Sequence, residues 1–137
     1  MVPTEGRAEQ LLHELTDPAW GARMTAIESL GKLGPAHGVV EAMVKMLTDE
    51  NEWVRSSAAQ ALDKFGYQEG VINGLLKALG DEVAKVREAA AITMRHYGKE
   101  PKLIKLLIKM LSDTNANVRQ AASAAMRNID QMERKKQ

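Results

Sequence analysis

Aspartate and arginine recur together along the sequence, and a carboxylate near a guanidinium can bind or polarise a polar substrate. The pairs are Asp17–Arg23, Asp49–Arg55, Asp81–Arg87 and Asp113–Arg119, each displaced from the one before by 32 residues. On a helix, six residues advance about 9 Å and turn through about 240°, so the two members of one pair do not share a face. A catalytic pair would also be needed only once. We therefore interpret the four pairs as structural.

Other residues that carry chemistry are scarce or badly spaced. The chain has no cysteine, and His13, His37 and His96 do not have the spacing of a helical metal motif. There is no G-x-S-x-G nucleophile motif and no glycine-rich phosphate loop. The sequence therefore predicts a chain that is not an enzyme, with no catalytic residue, no metal site and no cofactor.

The composition predicts a soluble, helical protein inside the cell. The net charge is +1, from 19 basic and 18 acidic residues, which gives no overall attraction to nucleic acid or to an anionic membrane. No apolar run approaches the roughly 20 residues of a membrane-spanning helix. The first residues lack the basic start and apolar core of a secretory signal. We expect a cytoplasmic or otherwise intracellular protein with no membrane partner.

The 32-residue period extends to many positions and predicts a repeated pair of helices. Between residues 40 and 47, apolar residues follow the spacing of one helix face. Asp49 is the predicted N-cap of the next helix, and with Glu52 it resembles a capping box. Pro18 is the predicted first residue of the corresponding helix in repeat one. Gly66 is predicted to end the second helix of repeat two. The predicted helices are about 6–16, 18–33, 38–48, 50–65, 70–79, 82–97, 101–112 and 114–132.

The repeated pattern resembles the HEAT repeat, in the short form also seen in phycobilin-lyase-type arrays. It reads Leu-Leu-x-x-Leu-x-Asp and then Val-Arg-x-x-Ala-Ala-x-Ala-Leu, and repeat two fits it with Asp49, Val54, Arg55 and Ala58. Repeat one departs from it, since Ala22 replaces the valine. The resemblance implies an all-α fold, a right-handed α-solenoid of four HEAT-like hairpins. It also implies a ladder in which the arginine of one repeat reaches the aspartate of the adjacent repeat.

The repeats are predicted to form one domain, residues 1–137. The resemblance covers most of this length and leaves a basic tail at 131–137. The predicted repeats are about 5–34, 37–66, 69–98 and 101–130.

HEAT arrays mostly serve as protein-binding scaffolds, so the resemblance implies a non-catalytic scaffold that binds a helical or extended segment. Second helices line the concave side of such arrays, and the rotation of about 100° per residue identifies the columns that point away from the core. One of these columns holds Ile27, Ala59 and Ala91. A cluster of Trp20, Met24 and Ile27 among small residues could anchor a partner, or Trp20 and Met24 could instead cover the end of the stack. The predicted partner-binding ridge consists of Trp20, Met24, Glu52, Trp53, Glu88, Arg95 and Arg127.

Other functions stay open beside the scaffold. Residues 1–68 hold 6 basic and 10 acidic residues, whereas residues 69–137 hold 13 and 8, so the C-terminal half could bind nucleic acid. No aromatic residue is interleaved with its lysines, which makes nucleic acid the less favoured partner. The resemblance also admits an accessory subunit of a bilin lyase-like enzyme, and the regular period admits a structural spacer or a designed repeat protein.

The first helix of the fourth repeat, from about residue 101, is apolar on more than one face. Terminal repeats usually carry a polar outer face. We therefore expect further repeats, or another copy of the chain, to contact Leu103, Leu106 and Met110 at this end.

Overall fold

The computed structural model describes residues 4–36, 38–98 and 100–136, and this part of the chain is helical throughout apart from short turns. The helices follow one another in four pairs, as the period predicts. The predicted all-helical repeat fold is therefore confirmed. The helices are α1 (Thr4–Glu14), α2 (Trp20–Leu33), α3 (Val39–Met46), α4 (Glu52–Lys64), α5 (Ile72–Ala78), α6 (Ala84–Met94), α7 (Pro101–Met110) and α8 (Ala116–Lys135).

The chain divides into two compact units, an N-terminal unit (Met1–Val71) and a C-terminal unit (Ile72–Gln137). In the N-terminal unit α2 packs against α4, and α1 packs against α2 and α3. In the C-terminal unit α6 packs against α8, and α5 packs against α6 and α7. Each unit thus holds two helical pairs, stacked so that like helices are neighbours.

Each unit has a core of aliphatic side chains between its first and second helices, and small residues line the second helices where they meet. Ala58, Ala59, Ala90, Ala91 and Ala122 have no exposed surface, which allows neighbouring helices to approach closely. None of the described helices is both long and apolar enough to cross a membrane. The largest fully buried side chains include Leu11, Ile27, Leu30, Met43 and Leu62 in the N-terminal unit and Leu75, Met94, Leu103, Leu107 and Ile129 in the C-terminal unit.

The second helices begin later than predicted, because the repeated aspartate is not their N-cap. The Asp49 carboxylate accepts a hydrogen bond from the Asn51 N–H at 2.9 Å and so forms a turn ahead of the helix. Asn51 is the N-cap of α4, and its side chain accepts from the N–H groups of Trp53 at 2.8 Å and Val54 at 3.3 Å. The predicted capping box is therefore wrong, since Glu52 is already the first helical residue.

Other bounds differ from the prediction as well, and two of them have a clear physical reason. Pro18 precedes α2, whose N-cap is Ala19, and so does not open that helix. At the other end of the chain, α8 continues to Lys135, past the predicted end at 132. Asp130 stands where Gly98 closes the preceding repeat, so no left-handed glycine ends α8 there. Most of the predicted basic tail is consequently helical.

Gly31 lies inside α2, where glycine costs stability because the unfolded chain is least restricted at that residue. A Cβ placed there would lie 3.5 Å from the Cβ of Ala61, an ordinary packing distance. We expect Gly31→Ala to raise the free energy of unfolding by about 0.5–1 kcal/mol, measured by urea denaturation. Gly34→Ala is the contrasting variant and should destabilise, because the φ of Gly34 is +104°. A Gly31→Ala protein less stable than the wild type would contradict this packing of α2 on α4.

Candidate protein-interaction surfaces

Arg23 joins α2 to the turn that precedes α4. Its side chain is buried, and its Nε and Nη2 donate to the two carboxylate oxygens of Asp49, each at 3.0 Å. Its Nη1 donates to the main-chain oxygens of Asp17 at 2.8 Å and Pro18 at 3.0 Å. The hydrogen bonds that Arg23 donates to Asp49 raise the pKa of Arg23, although burial acts in the opposite direction. All three nitrogens are engaged, which is the arrangement of a pair that holds two hairpins together.

Arg87 repeats this arrangement in the C-terminal unit. Its Nε and Nη2 donate to the carboxylate of Asp113 at 2.9 and 3.1 Å. Its Nη1 donates to the main-chain oxygens of Asp81 at 2.8 Å and Glu82 at 3.1 Å. The hydrogen bonds from Arg87 lower the pKa of Asp113, and burial of the carboxylate opposes this shift. The pair is therefore ionised and bidentate at neutral pH.

The remaining members of the predicted ladder share the same local geometry. The Nη1 atoms of Arg55 and Arg119 donate to the main-chain oxygen of the aspartate six residues earlier, at 2.9 and 2.8 Å. The carboxylates of Asp17 and Asp81 accept from the N–H two residues later, at 2.8 and 2.9 Å. Each aspartate thus shapes its turn, and each arginine is anchored to its own hairpin. This geometry suits a structural role for the pairs.

An apolar and acidic surface lies at the start of α2 and α4, and we call Trp20, Met24, Glu52 and Trp53 the tryptophan patch. Trp20 is the first residue of α2 and Trp53 the second residue of α4, and each is 45% exposed. The Arg23–Asp49 pair brings these two helix starts together. Met24 and Glu52 are half-buried on the same two helices. The patch thus offers two large aromatic surfaces and a carboxylate.

The column beside the predicted ridge is buried and not part of a groove. Ile27, Ala59 and Ala91 were expected to point away from the core, but none has exposed surface. The second helices pack so closely side by side, α2 on α4 and α6 on α8, that this column becomes part of the core. The rotation per residue gives the direction in which a side chain points, but not how closely the neighbouring helix approaches it.

The other ridge residues lie in the C-terminal unit. Glu88 is half-buried on α6, and Arg95 and Arg127 are exposed. The Nη1 of Arg127 donates to the Oγ of Ser123 at 2.8 Å. A shallow basic groove of about 320 Å³ lies near the ends of α6 and α8. It is lined by Arg95, His96, Asn128, Gln131, Met132 and Lys135.

A second groove in the C-terminal unit, of about 460 Å³, lies between α5 and α7. It carries three lysines but no aromatic side chain, so it lacks the stacking surface that single-stranded nucleic acid uses. Its lining residues are Asn73, Leu76, Lys77, Lys102, Lys105 and Leu106.

The apolar contact residues predicted on α7 are mostly in the core. Leu103 and Met110 are buried, so the prediction that they meet a partner is wrong, and Leu106 is half-buried in the lysine-lined groove. The reason is the register of the helix, which turns the stripe containing Leu103 and Met110 towards the core. The exposed apolar residues at this end are Ile108 at 53% and Leu111 at 41%. Sequence reasoning missed this stripe.

The described residues do not assemble a metal site. No group of three or more histidine, aspartate or glutamate side chains in the described ranges could hold a metal ion. His13 is exposed on α1, His96 is half-buried after α6, and His37 lies outside the described residues.

Several solved structures are similar to this chain. An engineered protein matches with a TM-score of 0.75 and 26% identity, over 90% of this chain and 62% of its own. Human deoxyhypusine hydroxylase in complex with glycerol matches with a TM-score of 0.75 and 21% identity, over 96% and 46%. A designed armadillo repeat protein in complex with peptide (KR)4 matches with a TM-score of 0.67 and 19% identity, over 92% and 70%. This chain therefore spans less than two thirds of the first two proteins.

The complex of CpcE and CpcF of phycocyanin lyase from Nostoc is also similar, with a TM-score of 0.62 and 23% identity, over 90% of this chain and 65% of that chain. The comparison with curated proteins finds no significant match. The likeness to these solved structures concerns the fold, an array of helical repeats. The sequence model of HEAT repeats matches residues 8–95 and 72–137, nearly the whole length, and the chain therefore belongs to the HEAT-repeat family.

Proposed function

We propose that this HEAT-repeat chain is a non-catalytic scaffold whose tryptophan patch binds a helical or extended segment of another protein. The observation that carries the proposal is the exposure of both indoles, 45% each, at adjoining helix starts. In the C-terminal unit the same positions hold Ala84, Lys85, Ala116 and Asn117. The repeat itself therefore does not require tryptophan at these positions.

The position of the second tryptophan favours binding over a purely covering role. Trp20 belongs to the first repeat, where a large side chain could cover the end of the stack. Trp53 belongs to the second repeat, so covering the end of the stack at the first repeat does not account for it. Tryptophan side chains that are half-exposed before binding offer large apolar area and an N–H donor, and they are enriched among residues that dominate binding energy.

The charge of the N-terminal unit favours a partner segment that carries lysine or arginine beside apolar residues. Residues 1–71 hold 6 basic and 11 acidic residues. Glu52 belongs to the patch, and the neighbouring Glu50 side chain is 89% exposed. A cation can also lie over the face of an indole. The designed armadillo protein in complex with peptide (KR)4 supports this chemistry for a related fold.

The ridge residues of the C-terminal unit form a proposed contact surface of their own. Arg95 and Arg127 are exposed cations and Glu88 is a half-buried acid, so this part suits the acidic groups of a partner. We propose all three as partner-binding residues of that unit.

The tryptophan patch can be tested directly because both tryptophans of the chain belong to it. We expect the peptide (KR)4 to change the intrinsic tryptophan fluorescence and to bind in a titration. Trp20→Ala together with Trp53→Ala should weaken the affinity at least about tenfold, measured with a labelled peptide. Tyr67→Ala is the matched control, since Tyr67 is a 62% exposed aromatic residue outside the patch. Equal affinity of the patch variant and the control would contradict the proposal.

Affinity capture from a cell lysate extends the test to natural partners. Proteins held by the wild type and lost with Trp20→Ala, Met24→Ala and Arg95→Ala combined would support the scaffold. Capture that survives these changes but is lost with nuclease or moderate salt would move the function to the lysine-lined groove and to nucleic acid. A colour change with a bilin would favour a lyase subunit, and an unchanged set of captured proteins would favour a spacer.

A further inference from the structure

Ile108 and Leu111, near the end of α7, form an apolar stripe in the last described repeat that is exposed, unlike the corresponding leucines of earlier repeats. Leu111 is 41% exposed, whereas Leu15 and Leu79, at the same position of earlier repeats, are 8% and 3% exposed. In each compact unit the first helix of the next repeat packs over the earlier one, α3 over α1 and α7 over α5. Ile108 and Leu111 thus present a surface that the first helix of another repeat covers elsewhere in this chain.

Arg119 beside this stripe lacks the carboxylate that its counterparts hold. Arg23 and Arg87 each bind an aspartate 26 residues later through Nε and Nη2. Arg119 keeps the anchoring bond from Nη1 to Asp113, so its guanidinium is held at its own hairpin as theirs are. Among the described residues no carboxylate forms an ion pair with it. Arg119 is therefore held in the position from which Arg23 and Arg87 bind their aspartates.

Asp17 is the complementary half. Its carboxylate accepts from the N–H of Ala19 at 2.8 Å, as the carboxylate of Asp113 accepts from Asn115 at 2.9 Å. No arginine among the described residues forms an ion pair with Asp17. Among the described residues, Arg119 and Asp17 thus both lack the ion pair that joins Arg23 to Asp49 and Arg87 to Asp113.

We propose that two copies of this chain associate head to tail, with Asp17 of one copy bound by Arg119 of the next and α1 of the first lying over the exposed stripe of the second. The register supports this arrangement, because four repeats of 32 residues place Asp17 at the step of 26 residues after Arg119 that the intact pairs show. Residues 1–71 hold 6 basic and 11 acidic residues and residues 72–137 hold 13 and 7, so the two contacting units attract.

The helix α1 is more polar than the first helix of repeat four, which packs over α5. Arg7 and Glu14 occupy the positions of Leu103 and Met110, which are apolar and buried. Burying these two charged residues opposes association, so we expect a weak, reversible contact seen at high protein concentration.

Pairing of two C-terminal units around a twofold axis is the competing arrangement. It would also cover the stripe, but it would join two basic surfaces and leave Asp17 unused. The two arrangements differ in their response to salt, since screening weakens attraction between unlike charges and relieves repulsion between like ones. They also differ in closure, because a head-to-tail contact leaves a binding surface at each end and continues beyond a dimer.

Sedimentation velocity of the full chain over a concentration series tests the proposal. We expect the weight-average sedimentation coefficient to rise with concentration at low salt without levelling at a dimer, and to fall back at high salt. Asp17→Arg alone and Arg119→Asp alone should each remain monomeric, whereas an equimolar mixture of the two variants should associate again. Ile108→Glu should prevent association, and Ile92→Glu, which changes a 38% exposed isoleucine elsewhere, should not.

Three results would overturn the proposal. A wild type that stays monomeric at the highest concentration and low salt has no such contact. Association that stops at a dimer, strengthens with salt and ignores Asp17→Arg indicates the twofold arrangement. A mixture of the two charge-reversed variants that fails to associate, while circular dichroism shows that both are folded, removes the pairing of Asp17 with Arg119.

Discussion

Replacing Leu107 by alanine is expected to lower the free energy of unfolding by about 3 kcal/mol, a typical loss for a fully buried leucine. Leu107 lies in the middle of α7 and has no exposed surface. The substitution removes apolar contacts and leaves a cavity that the closely packed helices of the C-terminal unit fill only in part. Urea denaturation followed by circular dichroism, at a concentration too low for association, measures the change.

The neighbouring residue provides the control for this prediction. Ile108 lies about 100° further around α7 and is 53% exposed, so Ile108→Ala should change the free energy of unfolding by less than about 0.5 kcal/mol. The two substitutions remove similar amounts of apolar side chain from adjacent positions of one helix. If both variants lost the same stability, the register of α7 described above would be incorrect.

Replacing Arg87 by alanine is expected to lower the free energy of unfolding by about 1–3 kcal/mol. The change removes two bonds to the Asp113 carboxylate and leaves that half-buried group without its bidentate partner. It also removes the bonds from Nη1 to two main-chain oxygens. Arg119→Ala is the matched control, because Arg119 makes the main-chain bond but no carboxylate pair. Equal losses in the two variants would show that the carboxylate contributes nothing.

The contribution of Asp113 should also depend on pH. Arg87 lowers the pKa of Asp113 in the folded chain, so this contribution is complete above the unfolded pKa of about 3.9 and is lost as the pH falls through the folded value. The difference in stability between wild type and Arg87→Ala should therefore be constant near neutral pH and shrink in acid. A difference that grows as the pH falls would contradict this sign.

The sequence was sufficient to predict the repeat, the helical pairs and the family, because many positions keep the same period. It misplaced the helix starts, since aspartate can serve equally well as an N-cap or as the acceptor of a turn one step earlier. Asn51, two residues after Asp49, is the N-cap of α4. Only the backbone geometry shows that Asn51 and not Asp49 has this role.

Exposure was harder to predict than secondary structure. Both tryptophans are exposed, but the column of Ile27 and Ala59 is buried, because exposure depends on how closely the next helix approaches. The stripe of Ile108 and Leu111 carries a signal that a comparison of columns could have found, since Leu111 continues the series of Leu15 and Leu79. Leu111 is exposed and its counterparts are buried because no repeat follows it in the described chain. The residue type is the same at all three positions and therefore does not indicate this difference.

The ion pairs that join hairpins have a consequence for the speed of folding. Arg23 and Arg87 each reach an aspartate only 26 residues away, and the packed helices within each unit are near neighbours in the chain. Little chain entropy is lost in closing such short loops, and proteins dominated by contacts of low sequence separation cross their transition state rapidly. Folding of such an array can begin at either hairpin pair and spread to its neighbour.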